Sequence, residues 1–121
     1  NERYLSQYDL RKTALNNIEK AFLDIEFCFV AIINDKIVGI IRGSKFRQGT
    51  LYVDSKYQRK GIATKLTKKF ESEVRKQGSH ELKLIASLYS VPFYLSIGYK
   101  KTTGMRNRQG IKVQPMKKIF K

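Results

Sequence analysis

The chain has 121 residues, of which 25 are lysine or arginine and 10 are aspartate or glutamate, giving a formal net charge of +15. Its 41% hydrophobic residues are enough to form a core, which excludes a disordered chain, and its length fits one domain over residues 1–121. The only cysteine, Cys28, excludes an internal disulfide, and with one histidine, His80, we expect no metal site. The longest apolar run, FCFVAII, is too short to span a bilayer, and no signal peptide is apparent. We therefore expect a cytoplasmic protein that does not enter a membrane.

The positive charge is dispersed along the sequence. Lysines and arginines recur within 10–12, 42–47, 56–76, 100–108 and 117–121. A basic surface attracts polyanions such as nucleic acid, acidic lipid or a phosphorylated cofactor. Because no single basic arm is present, we interpret most of these cations as solvated, and nucleic acid is an alternative partner that is not favoured.

The first half of the chain predicts helix followed by strands. Residues 4–24 carry apolar side chains at helical spacing, which predicts one or two amphipathic helices. Two apolar, β-branched runs then flank Asn34-Asp35, a pair suited to a tight turn, so residues 27–43 predict a β-hairpin. A third strand is predicted over GTLYVD, residues 49–54.

The second half predicts two helices and three strands. From Gly61 to Gly78, apolar residues recur at helical spacing: Ile62, Leu66, Phe70 and Val74. We expect Glu71 to lie on the solvent face of this helix. A strand over 81–87, a short helix in SVPFYLSIG and two final strands follow, and Pro115 suggests that the last strand lies at an edge or carries a bulge. This order predicts an α/β (α+β) fold with a mixed sheet flanked by helices.

The segment YQRKGIATKL lies where a strand gives way to a helix. The first N–H groups of a helix carry the positive end of its dipole, and small residues at Gly61 and Ala63 leave the backbone accessible. A hydroxyl at Thr64 and the cations Arg59, Lys60 and Lys65 complete the features of a phosphate or pyrophosphate site. The alternative is an ordinary strand-to-helix turn in which Ala63 packs on the sheet. The spacing matches neither a P-loop nor the three-glycine dinucleotide fingerprint.

A second segment, ASLYSVPFYLSIGYKK, follows in the same strand-to-helix order. Together with LYVDSKYQRKGIATKL, it makes residues 27–121 resemble the GNAT superfamily, the acetyl-CoA-dependent N-acetyltransferases. The final MKKIF looks like the closing strand of that family. The resemblance implies a single-domain, mostly antiparallel sheet that splays between the third and fourth predicted strands.

The resemblance also implies roles for individual residues, with acetyl-CoA as co-substrate and no metal. Backbone N–H groups would bind the pyrophosphate at Gln58, Arg59, Lys60, Gly61, Ile62, Ala63 and Thr64. The pantetheine arm would pair with the strand residues Leu51, Tyr52 and Val53, and Ser87 and Ser90 would add cofactor contacts. Tyr94 matches the tyrosine that acts as general acid toward the departing thiolate, its alternative being a core aromatic. Phe93 is expected in the core.

The general base is left open. In the histone-acetylating branch of the family, a glutamate stands eleven residues before the motif glutamine, and counting back from Gln58 gives Arg47, which cannot serve. Asp54 and Tyr52 are alternatives on the same strand, although Asp54 also suits a role in fixing the turn. Many family members use a water molecule.

The sequence therefore predicts an N-acetyltransferase that moves the acetyl group of acetyl-CoA directly to an amine of a small molecule or protein. The alternative is a non-catalytic basic module of the same fold that binds RNA or a ribosomal surface, and use of a longer acyl chain is a third interpretation. The net charge favours a neutral or acidic acceptor, although Asp9, Asp24 and Glu26 could line an acidic pocket. We expect a monomer or homodimer. Because the family's first strand is not evident before residue 4, we also expect a shortened N-terminus.

Overall fold

Eight strands and two α-helices make up the described part of the chain, which is residues 2–6 and 27–120 of a computed structural model. The helices are α1 (Ile62–Lys76) and α2 (Val91–Ser96), and 3-10 turns cover Ser55–Tyr57 and Leu88–Ser90. The strands are β1 (Glu2–Ser6), β2 (Phe27–Ile33), β3 (Lys36–Gly43), β4 (Gln48–Val53), β5 (Glu81–Ser87), β6 (Lys100–Lys101), β7 (Arg106–Arg108) and β8 (Ile111–Ile119). No helix in these described ranges is both long and apolar enough to cross a membrane.

The first sheet is antiparallel with the strand order β1-β2-β3-β4. The predicted hairpin is β2 and β3, and its turn residues Asn34 and Asp35 have φ angles of 52° and 62°. Both angles are positive, as a tight hairpin turn requires. The prediction of this hairpin is confirmed.

Strand β1 corrects the prediction for the start of the chain. Residues 4–6, which were expected to be helical, pair with β2, and Leu5 lies opposite Val30. No first strand was evident from the sequence before residue 4, whereas β1 begins at Glu2. The shortened N-terminus stays a prediction. The spacing of apolar residues favoured a helix there. A strand forms instead because its backbone pairs with the edge of β2, a distant segment that the local sequence does not reveal. The remainder of the predicted helical segment, with Asp9, Asp24 and Glu26, lies outside the described residues.

A β-bulge marks the start of β4. Arg42 pairs with Thr50 but the next residue, Gly43, pairs with Gln48, which leaves Gly49 as an extra residue on β4. A Cβ atom on Gly43 would lie 2.8 Å from the Cα of Gln48 and from the backbone N of Gly49, so only glycine fits opposite the bulge. This close approach fixes the point from which β4 turns away from the second sheet.

The second sheet has the order β5-β8-β6, with β7 also paired to β8, and all of its pairs are antiparallel. Its only pairing with the first sheet among the described residues is one parallel bridge between Arg47 and Lys83. Beyond that bridge, β4 and β5 separate. The predicted splay between these two strands is confirmed.

Pro115 occupies a different position from the one expected. It lies in β8, which is the middle strand rather than an edge, and it pairs with Ile85. On its other side, β6 pairs with residues 116–117 and β7 with residues 111–113, so Pro115 falls in the gap between them. Proline has no backbone N–H to donate to a neighbouring strand, and at this gap no paired strand requires that hydrogen bond.

Helix α1 packs against strands of both sheets, namely β2, β3, β4 and β5. Its buried residues include the four that the sequence predicted, Ile62, Leu66, Phe70 and Val74. Glu71, in contrast, is 8% exposed rather than on the solvent face. It accepts hydrogen bonds from Tyr99 Oη at 2.7 Å and Lys118 Nζ at 3.1 Å, which satisfy the buried carboxylate. Because both partners are distant in sequence, helical spacing could not reveal them.

Candidate functional site

A cavity of about 330 Å³ lies where β4 and β5 diverge, between the end of β4, the start of α1 and helix α2. Nine of the twelve predicted cofactor residues line it: Leu51, Val53, Gln58, Arg59, Gly61, Ile62, Ala63, Thr64 and Ser90. Tyr94 lines it as well. The splay therefore brings the two sequence motifs to the walls of a single cavity.

The start of α1 presents backbone N–H groups at one end of this cavity. Gly61 caps the helix with φ of 82°, and the first intrahelical bond runs from Lys65 N to Gly61 O at 3.0 Å. Helix geometry leaves the N–H groups of Ile62, Ala63 and Thr64 without an intrahelical acceptor. A Cβ atom on Gly61 would meet no heavy atom within 4 Å, so the space in front of the helix is open. This end of the cavity is suited to an anion.

Three predicted cofactor residues do not line the cavity. Tyr52 pairs with Ile40, alternates away from Leu51 and Val53, and is 59% exposed. Lys60 places its Nζ 5.7 Å from the ring centroid of Tyr57. The hydroxyl of Ser87 lies 2.8 Å from that of Ser90 and caps the 3-10 turn before α2.

Two charged residues have structural partners instead of facing the cavity. Asp54 accepts a hydrogen bond from the backbone N of Lys56 at 3.0 Å, which is the turn-fixing role considered from the sequence. Lys65 forms an ion pair of 2.8 Å with Glu2 of β1. None of the described residues that line the cavity is an aspartate, glutamate or histidine, so the described cavity wall presents no acidic or histidine base.

Tyr94 of α2 also lines the cavity. Its side chain is 5% exposed and packs edge-on against Phe93 and Tyr99, with ring centroids 5.1 and 5.5 Å away. Burial raises the pKa of the Tyr94 phenol above its usual range, while a hydrogen bond from Gln48 opposes that rise. A phenol in this setting stays protonated at neutral pH and retains a proton to donate.

Gln48 is the hydrogen-bond partner of the Tyr94 hydroxyl. Its Nε2 donates a hydrogen bond of 2.7 Å to Tyr94 Oη, so the phenol oxygen acts as acceptor in this contact. The Tyr94 O–H is therefore free to donate to another group. Gln48 is only 3% exposed, and its Oε1 has no hydrogen-bond partner among the described residues.

Sequence reasoning did not identify Gln48 or the aromatic lining of the cavity. Tyr57, Tyr89 and Phe93 line it, and Phe93, expected in the core, is half-buried against the core while also reaching the cavity. Gln48 lies 46 residues before Tyr94, and simple alternation along β4 places it on the wrong face unless the bulge at Gly49 is known. A glycine directly after a polar residue at the start of a strand was the only signal present.

Comparison with known proteins is consistent with this geometry. The model of the acetyltransferase (GNAT) domain family matches residues 8–120, so the chain belongs to the GNAT acetyltransferase family. Among curated proteins, no sequence matches the chain.

Solved structures of low sequence identity share the fold. A GCN5-related N-acetyltransferase from Rhodopseudomonas palustris superposes with a TM-score of 0.75 at 21% identity, covering 84% of this chain and 66% of that one. Ard1 from Thermoplasma volcanium gives 0.72 at 20% identity, covering 100% of this chain and 97% of the other. A GNAT family acetyltransferase from Elizabethkingia anophelis, with acetyl-CoA bound, gives 0.69 at 14% identity and covers 99% of each chain.

The burial of Tyr94 predicts a specific dependence of stability on pH. An unfolded tyrosine ionises near pH 10, whereas the buried phenol keeps its proton to higher pH. Its contribution is fully present below pH 10 and is lost as the pH rises from there through the folded pKa, by up to about 1.4 kcal/mol per pH unit. Urea denaturation at pH 7 and pH 11 should show a smaller alkaline loss for Tyr94→Phe than for the wild type.

The matched control is Tyr89→Phe. Tyr89 is 85% exposed, so its hydroxyl is hydrated in both states and its removal should leave the alkaline loss unchanged. Equal losses in the wild type and in Tyr94→Phe would contradict the buried, protonated phenol.

Proposed function

We propose that the protein is a cytoplasmic N-acetyltransferase, with one acetyltransferase domain over residues 1–121, that transfers the acetyl group of acetyl-CoA directly to an amine. The observation that carries this proposal is a single cavity lined both by the first residues of α1 and by a buried, protonated tyrosine. Family membership and the acetyl-CoA-bound neighbour support the same assignment.

The residues of the cavity fit acetyl-CoA. The N–H groups at the start of α1 would hold the pyrophosphate, assisted by the charge of Arg59. The backbone of Leu51 and Val53 is paired with β3 on one side only, because β5 has separated from β4 at this level. That free edge would hydrogen-bond the amides of the pantetheine arm, as an added strand would.

The chemistry then requires a proton near the sulfur. Acetyl-CoA supplies an acetyl thioester, which an amine attacks so that a carbon–nitrogen bond forms and the carbon–sulfur bond breaks. Tyr94 donates its phenolic proton to the departing sulfur, which makes the thiol a better leaving group. The amine releases its own proton to water, and solvent returns a proton to Tyr94. Gln48 is a positioning residue in this scheme, because its N–H holds Tyr94 Oη and leaves the O–H to point at the sulfur.

Replacing Gly61 should weaken binding of acetyl-CoA. A Gly61→Gln side chain would enter the open space in front of the helix, where we place the pyrophosphate. Isothermal titration calorimetry should show a Kd for acetyl-CoA at least about tenfold higher than that of the wild type, equivalent to about 1.4 kcal/mol.

Gly78→Gln is the matched control. Gly78 has φ of 90°, close to the 82° of Gly61, and a Cβ there also meets no heavy atom within 4 Å, but it follows the other end of α1. Each variant should therefore lose about 1–2 kcal/mol of folding stability through backbone strain. Similar Kd values for the two variants would contradict the assignment, and a folded wild type that binds RNA but not acetyl-CoA would favour the non-catalytic module.

Tyr94 and Gln48 should act as one unit in catalysis. Tyr94→Phe should slow release of free CoA about 100-fold, as expected for loss of a general acid, with no change in the Kd for acetyl-CoA. Gln48→Met keeps the side-chain length but removes the N–H, so it should slow CoA release in the wild type and have no further effect in Tyr94→Phe. Thiol detection with a panel of amines measures all four proteins.

A structural role for Gln48 would give a different pattern. It would lower the rate equally in the wild type and in the Tyr94→Phe background, and that additivity would overturn the positioning role. Gln77→Met makes the same change at the exposed C-terminal end of α1, away from the cavity, so it serves as the control and should keep the wild-type rate.

A further inference from the structure

A second cavity, a groove of about 240 Å³, adjoins the closed end of the splay. Its floor contains apolar side chains of β5 and β8, including Ile85 and Pro115, and its rim carries four cations: Arg47, Lys83, Arg106 and Lys117. The sheet register explains part of this grouping. Lys83 pairs with Lys117 and Ile85 pairs with Pro115, so these four side chains share one face of the second sheet.

The groove holds more positive than negative charge. Glu81 is the carboxylate beside it, 3.7 Å from Lys83 and 3.5 Å from Lys117. No carboxylate of the described residues forms an ion pair with Arg47 or Arg106, and both residues are exposed. Two guanidinium groups are thus available for a carboxylate or phosphate, which they can bind through paired N–H donors.

The groove is also connected to the candidate catalytic residues. Arg47 forms the last bridge between β4 and β5, and the next residue, Gln48, turns inward to bond Tyr94. An exposed groove residue is therefore adjacent in the chain to the side chain that holds the proposed general acid. The groove and the proposed acetyl-CoA cavity are thereby linked through two consecutive residues, Arg47 and Gln48.

We propose that this groove binds the acceptor, and that the acceptor is a small molecule carrying a carboxylate or phosphate near its amine. This inference rests on the proposed acetyltransferase function. The volume of about 240 Å³ suits a compact metabolite. A polyamine or a lysine-rich peptide would be repelled by the same rim.

The cationic rim has a second consequence for the reaction. Nearby positive charges disfavour the ammonium form of the bound amine and so increase the fraction present as the free, nucleophilic amine. The anionic group of the acceptor anchors it while the rim promotes deprotonation. This would compensate for the absence of an acidic or histidine base among the described residues of the cavity wall.

The test compares matched acceptors with and without the anion. O-phosphoethanolamine is paired with ethanolamine, and β-alanine with β-alaninamide, and kcat/KM is measured by CoA release for each. The phosphate and carboxylate pairs distinguish the two anion types. The wild type should prefer the anionic member of at least one pair about tenfold, and raised salt should reduce this preference because it screens exposed charges.

Arg106→Gln should reduce that preference at least about threefold, whereas Arg108→Gln should retain it. Both arginines are exposed on β7, but only Arg106 lines the groove, so the control makes the same charge change on the same strand. For each acceptor pair, the ratio of the two kcat/KM values is compared between variants, so that differences in the intrinsic reactivity of the amines cancel.

Each outcome has a defined meaning. Three results would overturn the groove as acceptor site. They are equal ratios in Arg106→Gln and Arg108→Gln, a preference for the amines that lack the anion, and no transfer to any of the four amines by a protein that binds acetyl-CoA. Failure of the folded wild type to bind acetyl-CoA in calorimetry would instead overturn the proposed function itself.

Discussion

The separation of β4 from β5 is the constraint on which the rest of the structure depends. Gly43 allows the backbone of β3 to lie against Gln48 and Gly49, and the β-bulge at Gly49 redirects β4. The bridge between Arg47 and Lys83 is the last pairing between the two sheets among the described residues. One free strand edge, one helix N-terminus and one tyrosine then face the same space. A continuous sheet would close this space, and no set of cavity residues could compensate for that.

The hydrogen bond between Gln48 and Tyr94 links this architecture to chemistry. It comes from the residue beside the bulge, so the bend in β4 and the hydrogen bond to the buried phenol arise at the same point of the chain. In the proposed mechanism, this hydrogen bond leaves the phenol as proton donor. Tyr94 is supported from behind by Tyr99, whose hydroxyl donates to Glu71 on α1. Burial, together with this hydrogen bond, raises the pKa of Tyr99, which therefore stays neutral beside Tyr94. The arrangement favours a rigid site with one mobile proton.

Much of the fold and most of the cavity wall could be predicted from the sequence, because they depend on local signals. The apolar spacing from Ile62 to Val74, the Asn34-Asp35 turn and the small Gly61 each act within a few residues. What could not be predicted depends on partners distant in the chain: β1 pairing with β2, Glu71 meeting Lys118, and Gln48 meeting Tyr94. The cationic groove was also hidden, since Arg47, Lys83 and Arg106 are brought together only by the sheets.

The central claim is that the splay aligns the helix N-terminus and Tyr94 on a single ligand. A crystal structure of the protein with coenzyme A tests it most directly, through the distance from the ligand sulfur to Tyr94 Oη. We predict the pyrophosphate on the N–H groups of Ile62 to Thr64 and the sulfur within about 4 Å of Tyr94 Oη, the range of a weak S···H–O contact. A bound ligand whose sulfur points away from Tyr94, or whose pyrophosphate lies outside the start of α1, would contradict the account.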